Sequence, residues 1–247
     1  MIKTQIEEFD KIFIEIKNKG WIKSKRKGST GIGYTFESEI NKEEDSLPIP
    51  DYKDIEIKTM RFYSKRKIHL FCSVPDGDYL FPLKRVIKTL GYPDKDNTEL
   101  KFNQALNAKD YTEIGHYKRA KLVMNDKEQK IDIVGFKGNY WLPLKIDVSW
   151  SYKSIREKVE QKIRYLAIIK ALSKIENENE YFKYYKVNYY ELKSIDHFFK
   201  ALEDGIISIS FTLKCNKNFD DENRIYSHGV SFTINEKDIE TIYKKIK

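Results

Sequence analysis

A mixed α+β fold of the α/β kind, with helices and strands interleaved along the chain, is what this sequence predicts, and three observations predict it. Apolar residues recur at helical spacing at the N-terminus and again after residue 150. Several runs between and after them alternate apolar and polar residues, as half-buried strands do. Hydrophobic residues make up 40% of the 247, enough for a sizeable core in one large domain or two intimate lobes.

Ile6, Phe9, Ile12, Phe13 and Ile16 fall on one helical face, and Gly20 stops that helix. A glycine-rich turn follows, then a short helix starting near Tyr34 or Thr35. Pro48 and Pro50 break the chain before "DIEIKTMRFY", which reads as a strand, and "KIHLFCSV" supplies a second. Residues 75–118 are rich in turn formers and read as irregular. "RAKLVMN", "QKIDIVGF" and "YWLPLKIDVSW" suggest a strand meander. "SIREKVEQKIRYLAII" has helical spacing at Ile155, Val159, Ile163 and Leu166, while "YLAIIKAL" fits a buried strand equally well. "YFKYYKVNYY" reads as a strand whose aromatic residues suit a half-buried sheet. "IDHFFKALEDG" reads as a helix ended by Gly205, "IISISFTLKC" and "HGVSFTIN" as a strand pair, and "EKDIETIYKKI" as a last helix.

The net charge is +8, from 46 basic and 38 acidic residues, which favours a polyanionic partner such as nucleic acid or a membrane surface. Cys72 and Cys215 lie far apart without metal-ligand spacing, so reduced thiols in a cytoplasmic protein are expected. No apolar run approaches the roughly 20 residues that span a bilayer. The first residues carry acids and helical periodicity instead of a signal-peptide core.

The charges are also sorted. Eight carboxylates lie between Glu37 and Glu56, with only Lys42 and Lys53 against them. Basic runs flank them: Lys23, Lys25, Arg26 and Lys27 before, Lys58, Arg61, Lys65, Arg66 and Lys67 after. "GSTGIG" invites a phosphate-loop reading, yet Gly33 is followed by Tyr34 and no buried strand precedes it, which excludes both common nucleotide fingerprints. A turn needing positive φ at Gly31 or Gly33 is the plainer expectation.

Within "PDYKDIEIKT", Glu56 and Lys58 share a strand face with α-carbons about 6.7 Å apart. A carboxylate beside a lysine suits phosphodiester hydrolysis: the one holds a hard divalent cation, the other steadies the attacking hydroxide or the charge growing on phosphate. One carboxylate is too few, so Asp51 or Asp54 is expected as a second. Asp54 has the parity of Glu56, and Asp51 needs a turn or bulge to swing back. Two carboxylates about 5 Å apart repel by roughly 3 kcal/mol at an effective dielectric near 20, a conflict that a bound cation removes.

With these residues in view, Lys25 to Thr59 resembles the MvaI/BcnI family of type II restriction endonucleases, a group of PD-(D/E)xK nucleases related to a mismatch-repair nickase. The pieces are "KRKGSTGIGYTFE", "EEDSLPIPD" and "DIEIKT", with weaker likeness through "SWSYKSIREKVEQKIRYLAII", "SKIENENEYFKYYK" and "HGVSFTIN". The resemblance implies a PD-(D/E)xK restriction-endonuclease-like fold with two lobes around a DNA cleft: a catalytic lobe over 1–175 and a recognition lobe over 176–247, in one continuous body. It implies Asp51, Glu56 and the Ile57 carbonyl as Mg²⁺ ligands, Lys58 as the catalytic lysine, and Glu37 as a helical acid supporting the lysine or the metal. It further implies a monomer that cuts double-stranded DNA one strand at a time at a short site of CCWGG or CCSGG type, leaving 5′-phosphates. A cognate DNA methyltransferase is then a genetic partner. The short gap from Asp51 to Glu56 sides with a restriction enzyme over a repair nickase. Residues 60–150 resemble the family poorly.

For DNA contact the basic flanks supply Lys25, Arg26, Lys27, Arg61, Lys65, Arg66 and Lys67 as phosphate binders. The polar loop "KCNKNFDDENRIYSH" adds Lys214, Lys217, Arg224 and His228, with Arg224 suited to bidentate pairing with guanine. His197, beside Phe198 on an expected helix, reads as structural.

Overall fold

The computed structural model describes residues 2–42, 49–78, 80–216 and 225–247. In chain order the elements are α1 (Ile2–Asn18), β1 (Ile22–Lys23), α2 (Gly31–Glu39), β2 (Ile55–Arg61), β3 (Ile68–Cys72), α3 (Leu80–Leu90), β4 (Tyr92–Pro93), β5 (Glu99–Leu106) and β6 (Thr112–Ile114). Then come β7 (Lys118–Asn125), β8 (Lys130–Lys137), β9 (Leu142–Leu144), β10 (Ser149–Ser151), α4 (Tyr152–Lys162), β11 (Tyr165–Glu176) and β12 (Asn179–Leu192). The chain ends with α5 (Ile195–Glu203), β13 (Ile207–Asn216), β14 (Tyr226–Ile234), α6 (Ile239–Ile242) and β15 (Tyr243–Lys245).

The fold divides into two compact units. The first comprises Met1–Arg66, Lys158–Lys193 and Ile242–Lys247, the second Lys67–Glu157 and Ser194–Thr241. The units interleave along the chain, unlike the single division expected at residue 175, and the reason lies in one strand pair. β2 runs parallel to β11, and a parallel pair needs a long crossover. Residues 67–157 of the second unit fill that connection.

The sheet of the first unit has the order β1-β12-β11-β2, with β15 on β12, so β2 is an edge strand. One face of the sheet is covered by apolar stripes. Phe9, Phe13 and Ile16 of α1 and Ile32 and Phe36 of α2 form one core with Ile55, Ile57, Ala167, Ile169 and Tyr184. The Tyr184 hydroxyl donates to the Ile32 carbonyl at 2.7 Å, which ties α2 to the sheet. The tyrosine-rich strand is thus used for packing.

The second unit holds a sheet β10-β8-β7-β6, with β9 on β8, and a sheet β3-β14-β13-β5-β4. Trp150 is fully buried against Phe211 and Phe232, and its indole N–H donates to the Ser73 carbonyl at 3.0 Å. α5 begins at Ser194, whose hydroxyl accepts the His197 N–H and also meets the His197 ring at 2.8 Å, a structural use of this histidine. Gly205 follows α5 at φ +73°, the left-handed stop expected there.

Several expectations need correction. Residues 75–118 are not irregular: Leu83, Val86, Ile87 and Leu90 make a buried helical stripe in α3. Pro82 lies in the first turn of α3, where its missing N–H costs nothing. "YLAIIKAL" is strand β11, because Ala167, Ile168 and Ile169 are buried on both faces of a sheet. The last helix shrinks to α6, and the chain then pairs as β15 with β12. α2 starts at Gly31, and neither Gly31 nor Gly33 has positive φ; Gly28 does, at +87°. Gly31 is needed for close approach instead, since a Cβ there would sit 2.4 Å from the Arg26 carbonyl oxygen. Cys72 and Cys215 are free thiols, as expected. Among the described residues no helix is long and apolar enough to cross a membrane.

Candidate active site

The candidate centre is built on β2, the end strand of its sheet. Alternation sends Ile55 and Ile57 into the core under α1 and α2, and turns Glu56 and Lys58 to the opposite face. Before the strand, Tyr52 and Ile55 bond each other through both N–H groups at 2.9 and 2.8 Å, with Lys53 at φ +51° in the turn between them. Carrying that antiparallel register one step back sets Asp51 opposite Glu56, and cross-strand partners share a face. The turn therefore answers the parity question. Asp54 points the other way, where its carboxylate accepts from Gln5 of α1 at 2.8 Å.

Asp51 Oδ2 accepts the Ile57 N–H at 2.9 Å, and Oδ1 lies 3.5 Å from Lys42 Nζ. The N–H and C=O of one strand residue project to the same side. The Ile57 carbonyl consequently opens on the same free edge as the Asp51 carboxylate.

Glu56 is only 2% exposed. Its Oε1 receives Lys58 Nζ at 2.6 Å and lies 3.7 Å from Lys162 Nζ, at the end of α4. Its Oε2 is buried without a hydrogen-bond partner. Burial pushes the carboxyl above its usual range; Lys58 and Lys162 pull it down, and Asp51 pushes it further up. A buried carboxylate oxygen left bare is costly, and a divalent cation beside Asp51 would satisfy it. Among the described residues no three His, Cys, Asp or Glu side chains converge. The available donors are two carboxylates and a backbone carbonyl, all hard oxygens, which suits an alkaline-earth ion that retains several waters.

Glu37 lies on α2 beside Gly33. A Cβ on that glycine would stand 3.6 Å from Glu37 Oε1 and 3.3 Å from Thr59 Oγ1, so Glu37 reaches the β2 edge near Thr59. Lys162 is the residue that sequence reading missed; its place beside Glu56 depends on β11 returning next to β2, which no local spacing reveals.

The basic candidates have diverse surroundings. Lys25 pairs with Glu39 at 2.8 Å, and Lys19 and then Lys25 hold that carboxyl below its usual range. The Arg26 guanidinium lies over the Tyr34 ring at 3.9 Å, and Lys27 is exposed. Arg61 is a tie within the fold: it grips both oxygens of Glu180 at 2.7 and 2.9 Å and reaches the carbonyl of Ser29. Lys65 and Arg66 are exposed and help line a groove of about 560 Å³ with Gly28, Ser29 and Tyr63. Lys67 donates to Ser208 at 3.0 Å, and burial lowers its pKa. In the second unit Lys214 pairs with Glu99 at 3.1 Å. His228 lies on β14, with its side chain outside the described residues, as are Lys217 and Arg224 entirely.

Comparison with known proteins adds three findings. The model of the MvaI/BcnI restriction endonuclease family matches residues 10–243. The solved structure of restriction endonuclease MvaI in complex with cognate DNA superposes with a TM-score of 0.85 at 27% identity, covering 98% of each chain. The structure of MvaI in the absence of DNA gives 0.59 at 26% identity, covering 98% of this chain and 96% of that one. No protein of curated function matches the sequence.

Proposed function

The chain belongs to the MvaI/BcnI restriction endonuclease family, and on that premise we propose that the Asp51–Glu56–Lys58 edge of β2 is its active centre, working with Mg²⁺. The protein is a type II restriction endonuclease, a site-specific deoxyribonuclease that acts on double-stranded DNA and depends on a divalent cation. Asp51, Glu56 and the Ile57 carbonyl would hold the cation. When bound, Mg²⁺ supplies Lewis acidity toward the phosphoryl oxygens and makes water a stronger acid. Lys58 holds the attacking water in line with phosphorus and meets the charge that develops on the phosphate. Glu37 supports that edge from α2. The floor is dry, since Leu166 and Ile168 beside Glu56 and Lys58 are buried, and low polarity strengthens each of these interactions.

Lys65, Arg66 and Lys27 bind phosphates, as do Lys25, Arg26 and Lys67 where their present partners yield. Lys214 of β13 and His228 of β14, with Lys217 and Arg224 from the residues between these strands, read base edges of a short CCWGG- or CCSGG-type site. The enzyme works as a monomer in the cytoplasm, with a methyltransferase protecting host DNA. The unpartnered Glu56 Oε2 beside Asp51 is the observation that carries this reading. The test is a plasmid time course with Mg²⁺, followed by sequencing of the ends. A nicked intermediate, then linear DNA with 5′-phosphate ends at one repeated short site, is expected. Nicked product without linear DNA would mean a strand-specific nickase, and ends without a common sequence would contradict the reading.

A further inference from the structure

We infer that Lys162 is a positioning residue of this centre: it is the resident counter-ion of Glu56, and the divalent cation has to displace it. The inference rests on the active centre proposed above and deepens it. Two ammonium groups crowd one oxygen, Lys58 at 2.6 Å and Lys162 at 3.7 Å from Glu56 Oε1, while Oε2 is bare. Among the described residues Glu56 is the carboxylate within ion-pair reach of Lys162.

The placement of Lys162 is fixed by its neighbours. Ile163 is fully buried, and its carbonyl accepts the Tyr243 hydroxyl at 2.8 Å. The Arg164 carbonyl accepts the Leu192 N–H at 2.9 Å. The Lys162 side chain, 24% exposed, sits on a flexible four-carbon stem with a route back to water. Glu56 has no such route.

A dication approaching Oε2 therefore meets two positive charges. Lys58 is required for the chemistry, so its repulsion is tolerated. Lys162 carries no such duty; it keeps Glu56 charge-balanced and in place while the metal is away. Removing its charge should ease metal entry.

The test is calorimetric titration of Ca²⁺ into the full chain without DNA, for wild type, Lys162→Met, Lys162→Gln, Lys162→Arg and Glu56→Gln. Met and Gln at 162 should each bind Ca²⁺ about three- to tenfold more tightly, and Arg should stay near wild type. The Mg²⁺ concentration for half-maximal cleavage should fall in parallel. Unchanged or weaker binding in both neutral variants, with Glu56→Gln abolishing it, would overturn the counter-ion role and leave the site standing. Undiminished binding in Glu56→Gln would instead remove the site itself. A merely structural lysine would lower the melting temperature without moving Ca²⁺ affinity.

Discussion

Two ion pairs on the same strand invite comparison. At one end of β2, Glu56 and Lys58 meet at 2.6 Å with the carboxylate buried and one oxygen unpartnered. At the other end, Arg61 clasps both oxygens of Glu180, its guanidinium also lying 5.2 Å from the Phe182 ring. The second pair is complete, since donors and acceptors are matched and nothing further is needed. The first is incomplete, and its deficit is of the kind that a divalent cation repairs. On the proposed function, satisfaction, more than charge or burial, is what separates the structural pair from the chemical one.

Substitutions can break this contrast. Lys58→Ala should slow cleavage by about 10²- to 10⁴-fold while DNA affinity changes little, measured by single-turnover kinetics and by binding with Ca²⁺ in place of Mg²⁺. Arg61→Ala should do the reverse. It should cost about 1–3 kcal/mol of stability in urea unfolding, the scale of hydrogen bonds to charged groups, and leave the salt dependence of DNA binding nearly unchanged. Lys65→Ala and Arg66→Ala, whose side chains are exposed, should each lower the slope of log K against log salt by about 1. An equal loss of slope in Arg61→Ala would show that its clasp on Glu180 opens for DNA.

The smallest effect concerns pH in the metal-free protein. The Glu56 carboxyl is raised above its ordinary value of 4.5, chiefly by burial. A raised carboxyl contributes stability that is fully present below the unfolded value and is lost as pH rises through the folded one. With chelator present, wild type should therefore lose stability relative to Glu56→Gln as pH climbs above 4.5, and added Mg²⁺ should narrow the gap. A wild type that gains on the variant over that range would show the buried carboxylate to be already satisfied.

The edge proposed as catalytic is legible in the sequence because covalent spacing dictates it. Strand alternation alone puts Glu56 and Lys58 together, and the residues around Asp51 carry the family resemblance. Parity left Asp51 and Asp54 undecided, because a turn at Lys53 with positive φ is invisible in an alternation count. Lys162 was hidden for a different reason: it meets Glu56 across a long crossover, through the pairing of β2 with β11. α3 has a regular stripe of Leu83, Val86, Ile87 and Leu90, but the prolines and glycines around it are equally good turn signals, so local pattern does not single the helix out. Arg61 was read as a phosphate binder from its place in a basic run. In the structure it pairs with Glu180, 119 residues away.

The central claim is that the turn at residues 52–55 aims one aspartate at Glu56 and turns the other away. Single-turnover cleavage of a duplex carrying the recognition site, compared for wild type, Asp51→Ala, Asp54→Ala and Glu56→Ala, tests it most directly. The account predicts that Asp51→Ala and Glu56→Ala lose cleavage while still binding the duplex, and that Asp54→Ala cuts at the wild-type rate. Cleavage surviving in Asp51→Ala or Glu56→Ala, or lost in a folded Asp54→Ala, would contradict it.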